Sequence, residues 1–375
     1  MSRDRAIVAT GTYLPRFRLD AEAVRAAWGS APGVASVRVP AADEDALTMA
    51  IAAAEAALAD APVGAADLAF LGVATTTPPV EEGAFASRAV RALGLSPVVR
   101  TETATQDAAV GADVLSAAAA ADGPALAVAA DCPEGEPGVA DAGMGAGAVA
   151  VLFDEGEGPR LVDRADHADE YPGVRYRRRG GTAVESIDIT TYERGAMADC
   201  AAGAIGGLAV DVDAVTGLAV HQPTPKLARR LAGALPLSGI EREGLVADAT
   251  GDLGAAGVPL ALLAALAGAG PDDRTVGVFF GGGARAVALA LEGGGTAVPD
   301  LDDGTALSYA RYLRERGRVG VGDVAGGGAH VSLPTWRRSL DSRYRLSGGA
   351  CDECGALTFP PEGACRRWQA ARLLR

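Results

Sequence analysis

Residues 143–153 read G-M-G-A-G-A-V-A-V-L-F, and residues 281–291 read G-G-G-A-R-A-V-A-L-A-L. Each is a glycine-rich turn feeding an unbroken apolar run, the pattern of a strand buried on both faces. What precedes each closure also recurs. Before the first, strand-like runs at 6–10, 68–75, 98–102 and 125–130 alternate with Ala-rich helical stretches at 47–60, 85–93 and 107–121. Before the second, runs at 218–220, 245–247 and 274–280 alternate with helices at 226–235 and 258–267. Acidic Asp43, Glu44 and Asp45 suit the N-terminus of the 47–60 helix. Alternation repeated in the same order predicts a duplicated α/β layered fold.

The 375 residues leave room for two to three structural units. An apolar fraction of 49% with 22% charged residues excludes wholesale disorder. The net charge of −14 lacks the basic footprint of a nucleic-acid binder. Lys226 is the sole lysine, which GC-rich coding and adaptation to high salt both explain. No apolar run is long enough to span a membrane, and the N-terminus lacks a signal-peptide core, so a cytoplasmic location is expected. The expected units are an N-terminal half (1–160), a C-terminal half with a connecting insertion (161–292), a linker with a short helix (293–345) and a partial zinc ribbon (346–375). Within the insertion, residues 160–207 read as loop-rich. Their R-Y-R-R-R run at 175–179 has the charge to meet phosphates but reads as a solvated loop.

In such a fold, polar residues at the C-terminal ends of strands line a site. Four ends qualify: 75–77, 103–107, 221–226 and 251–253. His221 is the sharpest, since it follows an apolar strand directly and opens the polar, rigid H-Q-P-T-P-K segment.

The segments D-E-D-A-L-T-M-A-I (43–51), L-G-V-A-T-T-T-P-P-V (71–80), H-Q-P-T-P-K-L-A-R-R (221–230), G-D-L-G (251–254) and F-F-G-G-G-A (279–284) together resemble hydroxymethylglutaryl-CoA (HMG-CoA) synthases of the thiolase superfamily. The resemblance covers about residues 4–292. It implies the thiolase-type α/β/α/β/α fold of two similar halves, CoA thioesters as ligands, no cofactor for the chemistry, and a homodimer or a heteromer with a thiolase or synthase. The tail Y-R-L-S-G-G-A-C-D-E-C-G-A-L-T-F-P-P-E-G-A-C (344–365) is similar to acyl-CoA-associated zinc ribbons.

The family's chemistry uses a cysteine thiolate at a helix N-terminus, a glutamate base, a histidine that orients the second substrate, an asparagine and a glycine-rich turn. Carried over, the histidine is His221, with Lys226 placed to contact CoA, and the turn is Gly281, Gly282 and Gly283. The asparagine position holds Asp252, the nucleophile position Thr105 and the glutamate position Thr76. A threonine hydroxyl ionises only at very high pH, whereas a thiol has a reference pKa of about 8.5. A helix dipole worth about 1 kcal/mol does not bridge that gap. A threonine nucleophile therefore needs a dedicated base, for which Asp107 and His221 are the neighbouring choices. Cys132 lies outside the nucleophile's turn, and Glu81 and Glu82 read as a charged helix start beside the vacated glutamate position.

In the tail, Cys351 and Cys354 with Gly355 form a zinc half-site, and Cys365 is a third donor. Trp368 stands where a fourth cysteine is expected, leaving His330 or water to complete a structural zinc site. The sequence stops short of the OB barrel that follows such ribbons, so the ribbon reads as truncated. Two functions follow: an altered acyltransferase, or a non-catalytic subunit that binds acyl-CoA or a partner thiolase or synthase.

Overall fold

The computed structural model describes residues 5–171, 175–186, 190–237, 246–319, 333–352 and 354–359. Nine strands make the main sheet: β1 (Arg5–Tyr13), β2 (Phe70–Ala74), β3 (Arg100–Ala104), β4 (Ala125–Asp131), β5 (Gly147–Glu155), β6 (Arg160–Ala168), β7 (Gly217–His221), β8 (Arg274–Gly281) and β9 (Arg285–Glu292). Their order is β3-β2-β4-β5-β1-β6-β9-β8-β7. Followed inward from either edge, the pattern repeats. A parallel pair (β2 with β4, β7 with β8) is followed by an antiparallel partner (β5, β9) and then by the first strand of that half (β1, β6). The halves meet where Ala6 stands opposite Arg160. The duplication read from the glycine-rich closures is therefore a duplication of topology.

Helices α1 (Ala46–Ala59) and α2 (Phe85–Leu93) cover the outer face of the first half. Helices α4 (Thr190–Gly206) and α5 (Pro225–Ala234) cover the second. Between them α3 (Val110–Ala119) and α6 (Gly257–Ala267) lie in one core with Phe153 and Phe279 from the two half-sheets. A helix apolar on every side belongs in such a middle layer. Small residues let it form, since a Cβ on Gly111 of α3 would fall 2.5 Å from the Ala255 carbonyl oxygen ahead of α6. Asp45 caps α1 as its acidic approach predicts. Its carboxylate accepts from the Thr48 amide at 2.8 Å, while the Thr48 hydroxyl accepts from the Asp45 amide.

Two expectations fail. Residues 160–207 are not mainly loop, because they hold β6 and the 17-residue α4. The polar alternation of β6 concealed it. Those polar residues are paired, with Arg164 donating to Asp113 at 2.6 Å and Asp166 accepting from Arg285 at 2.8 Å. The strand expected at 245–247 is also absent among the described residues. Residues Ala247–Thr250 form one helical turn, ended by Gly251 at φ +75°; Leu245 lies outside the described residues.

The chain after β9 returns to the first half. Thr305–Ala306 pairs with Phe17–Arg18, the buried Tyr312 hydroxyl donates to Asp141 at 2.7 Å, and Arg318 pairs with Glu134 at 3.1 Å. Helix α7 (Leu340–Arg345) docks on α2 through Asp341 and Arg91 at 2.6 Å. No helix among the described residues is long and apolar enough to cross a membrane.

Candidate active site

The site gathers at the C-terminal ends of β2, β3, β4 and β7 and at the β8–β9 turn. At the end of β7, His221 is buried and its Nε2 lies 3.6 Å from Asp252 Oδ1. Both ring nitrogens lack a hydrogen-bond partner among the described residues. The ring packs against the start of α6, where a Cβ on Gly257 would fall 2.2 Å from it. Asp252 is held in turn. Its amide donates to the Gly143 carbonyl at 3.1 Å, its Oδ1 accepts from the Gly254 amide at 3.0 Å, and its Oδ2 is paired with Arg175. Burial alone would raise its pKa, but Arg175 and His221 outweigh it and hold Asp252 well below the usual carboxylate range.

A second carboxylate, Asp131 at the end of β4, ties the halves together. It is wholly buried. Oδ1 accepts from the Thr75 hydroxyl, the Thr76 amide and both the amide and hydroxyl of Thr77, at 2.7–3.0 Å. Oδ2 accepts from the Thr76 hydroxyl and, across the pseudo-dyad, from the Ala255 amide at 2.7 Å. Burial outweighs the pull of the donors and leaves its pKa above the ordinary value.

Two adjoining cavities result. One, of about 600 Å³, is bounded by His221, Asp252, Met144, Phe280, Gly281 and Gly282, among others. The other, of about 610 Å³, holds Thr76, Thr105, Gln106, Asp107, Arg177 and Gly283. Ala108, Arg175, Val184 and Gly282 line both. The structure thus brings Thr76 and Thr105 together, places His221 with Asp252, Gly281 and Gly282, and sets the two groups side by side. Lys226 does not join them, being exposed on α5 outside both linings. Thr105 stands five positions ahead of the first residue of α3, whose mouth is formed by Ala108 and Ala109, with Asp107 accepting from the Ala109 amide at 2.7 Å. Gln106 between them has φ +95°, a strained elbow for a residue with a side chain.

Cys132 borders a third cavity of about 440 Å³ with Arg177, Arg178 and Arg179. Burial pushes its thiol pKa up, away from nucleophilic duty. Glu81 lines the Thr105 cavity and pairs with Arg179 at 2.8 Å; Glu82 is exposed and lines neither main cavity.

The arginine run is the part the sequence reading missed. Residues 175–186 form a strap across the cavities. Tyr176 and Glu185 exchange backbone hydrogen bonds at 2.8 Å, and the Val184 amide donates to the Glu134 carbonyl at 2.7 Å. Arg175 reaches Asp252, Arg177 donates to the Thr76 carbonyl, and Arg179 meets Glu81. The run was visible as charge, but not its partners.

In the tail, Gly349–Ala350 pairs with Leu357–Thr358 around the cysteine turn. The Cys351 amide donates to the Ala356 carbonyl at 3.0 Å and the Gly355 amide to the Cys351 carbonyl at 2.8 Å, with Gly355 at φ +68°. This knuckle fits two thiolate donors to a tetrahedral metal. No cluster of three metal-binding side chains occurs among the described residues. Cys365, His330 and Trp368 lie outside them.

Comparison with known proteins agrees with this architecture. Residues 338–367 match the ChsH2 rubredoxin-like zinc ribbon domain family. A hydroxymethylglutaryl-CoA synthase of Methanopyrus kandleri is 28% identical over 307 residues, 76% of this chain and 86% of that protein. An HMG-CoA synthase solved with CoA superposes with a TM-score of 0.74 at 18% identity, over 83% of this chain and 90% of that one. The HMG synthase of the curacin biosynthetic pathway, solved with a holo donor acyl carrier protein, gives 0.71 at 16% identity over 83% and 87%. The chain is a homologue of the hydroxymethylglutaryl-CoA synthases, built on the thiolase-type fold and carrying a ChsH2-type zinc-ribbon segment.

Proposed function

We propose that this chain binds acyl-CoA thioesters in the paired cavities and acts on them as an altered acyltransferase of the HMG-CoA synthase type. The observation that carries the reading is His221, buried on the wall of a cavity with two unpartnered ring nitrogens and a carboxylate 3.6 Å away. An imidazole so placed can donate a hydrogen bond to a substrate carbonyl and stabilise the oxyanion that forms there. Thr76 and Thr105 supply hydroxyls, not a carboxylate and a thiolate, so a covalent acyl-enzyme is not expected. A condensation here runs between two bound thioesters.

Those same threonines favour a second reading, a subunit that binds acyl-CoA or a partner thiolase or synthase without turnover. Calorimetric titration with CoA and acetoacetyl-CoA, beside an assay of acetoacetyl-CoA consumption, separates the two. Binding and turnover are expected, with His221→Ala lowering kcat/KM by about 100-fold or more. Binding without turnover in the wild type selects the subunit reading; absence of binding defeats the enzyme reading and leaves only docking to a partner thiolase or synthase, which co-purification with such a partner tests.

The ribbon is read as a structural zinc site using Cys351, Cys354 and Cys365. Metal analysis should find about one zinc per chain, lost in Cys351→Ser. Because the knuckle is remote in sequence from the cavities, that variant should bind CoA as the wild type does; zinc content unaffected by it would remove the assignment.

A further inference from the structure

The site as described leaves one carboxylate without a role. Asp107 sits at the elbow between β3 and α3 and lines the same cavity as Thr76, Thr105 and Arg177. We infer that Asp107 is a general base that removes the proton from the carbon α to an acyl-thioester carbonyl bound in this cavity. The inference rests on the proposed acyl-thioester function and names the group that begins its chemistry.

Geometry singles out Asp107 among the neighbouring carboxylates. Asp131 is wholly buried and receives six hydrogen bonds. Asp252 is engaged by Arg175 in the adjoining cavity. Glu81 is exposed and paired with Arg179. Asp107 retains 15% of its side-chain exposure, within the cavity wall. Its Oδ1 accepts from the Ala109 amide, which fixes the carboxylate. Its Oδ2 lies 3.8 Å from Arg285, beyond a hydrogen bond, because Arg285 is committed to Asp113 and Asp166 at 2.5–2.8 Å. The space for the carboxylate is made by Gly281, where a Cβ would fall 2.2 Å from Oδ1. Burial, against Arg285 and the Ala109 amide, leaves the Asp107 pKa above its ordinary value, and so leaves a stronger base than a solvated aspartate.

In the step, the α C–H bond breaks and the proton passes to an Asp107 carboxylate oxygen. The electron pair moves into the thioester as an enolate, whose oxygen would be met by the Thr105 hydroxyl and the Arg177 guanidinium on the wall of the same cavity. Return of a proton regenerates the thioester, so in D2O the acyl α-position acquires deuterium without any second substrate. Incubating the full chain with acetyl-CoA in D2O, with mass spectrometry of the recovered thioester, reads this directly. The wild type should exchange above buffer, and Asp107→Asn, which keeps an oxygen acceptor for the Ala109 amide, should still bind acetyl-CoA but exchange about 100-fold more slowly. Gly281→Ala, which crowds the carboxylate but retains it, should also slow exchange. Acetyl-CoA that binds the wild type without exchanging, or Asp107→Asn exchanging at the wild-type rate, overturns the role of Asp107. Failure of the wild type to bind acetyl-CoA overturns the role and the acyl-thioester function together.

Discussion

Replacing Asp131 with alanine is expected to cost the fold about 4 kcal/mol or more, a large part of the roughly 5–15 kcal/mol that holds a domain together. Hydrogen bonds to a charged acceptor contribute about 1.5–3 kcal/mol each, and a buried donor left without a partner costs about 1–3 kcal/mol. Asp131 accepts six, three of them from the backbone amides of Thr76, Thr77 and Ala255, which cannot rotate away. Recovered desolvation of the carboxylate returns part of the loss, so the bonds do not simply sum. Asp131→Asn sharpens the test. An amide nitrogen at the Oδ2 position would face the Ala255 N–H, donor against donor, and one at the Oδ1 position would face the Thr76 and Thr77 amides. Urea unfolding should therefore rank the variants wild type, then Asn, then Ala, with the alanine form accumulating poorly. An unfolding free energy for Asp131→Ala within about 1 kcal/mol of wild type would mean that water satisfies these donors and that the carboxylate does not hold the halves together.

The layered fold was legible because its signals are local or periodic. The two glycine-rich closures, the capped α1 and the alternation of apolar runs with Ala-rich helices each reveal their structure within a few residues. The strand ends are legible for the same reason, which brings out Thr76, Thr105 and His221; Asp252 is brought out by the G-D-L-G resemblance, because a helical turn and not a strand precedes it. What escaped depends on partners far along the chain. Arg175 meets Asp252 across 77 positions and Arg177 meets Thr76 across 101. A run of arginines records charge, not which carboxylate or carbonyl folding will bring to it. β6 escaped because its polar residues, half-exposed or exposed, are tied into ion pairs and break the apolar alternation that marks a strand. In that cluster the bonds from Arg164, two positions away on the same strand, and from the distant Arg285 hold Asp166 down to about 2.

The second large effect is expected at Arg175. Asp252 is buried beside His221, and Arg175 is the cation paired with its Oδ2. Removing one partner of a buried pair leaves the other charged without compensation, at a cost of about 3–5 kcal/mol. Arg175 keeps about a fifth of its side chain exposed, so Arg175→Met should fall at the lower end of that range. Neutralising the remaining charge should recover most of the loss, so the double variant Arg175→Met, Asp252→Asn should be more stable than Arg175→Met alone. The pH dependence fixes the sign. The folded pKa of Asp252 is depressed, so the pair's contribution is fully present above the unfolded value of about 3.9 and is lost as pH falls through the folded value. The unfolded state is common to both proteins, so the gap between wild type and Arg175→Met in thermal unfolding should be widest near neutrality and narrow as pH falls, beginning above the usual carboxylate range, where the variant's buried and uncompensated Asp252 takes up a proton. A gap that does not narrow on acidification would mean that Asp252 carries no charge for Arg175 to balance. If the double variant also keeps CoA binding while Arg175→Met loses it, the strap's first arginine serves to neutralise the buried Asp252 beside His221, and not to contact CoA itself.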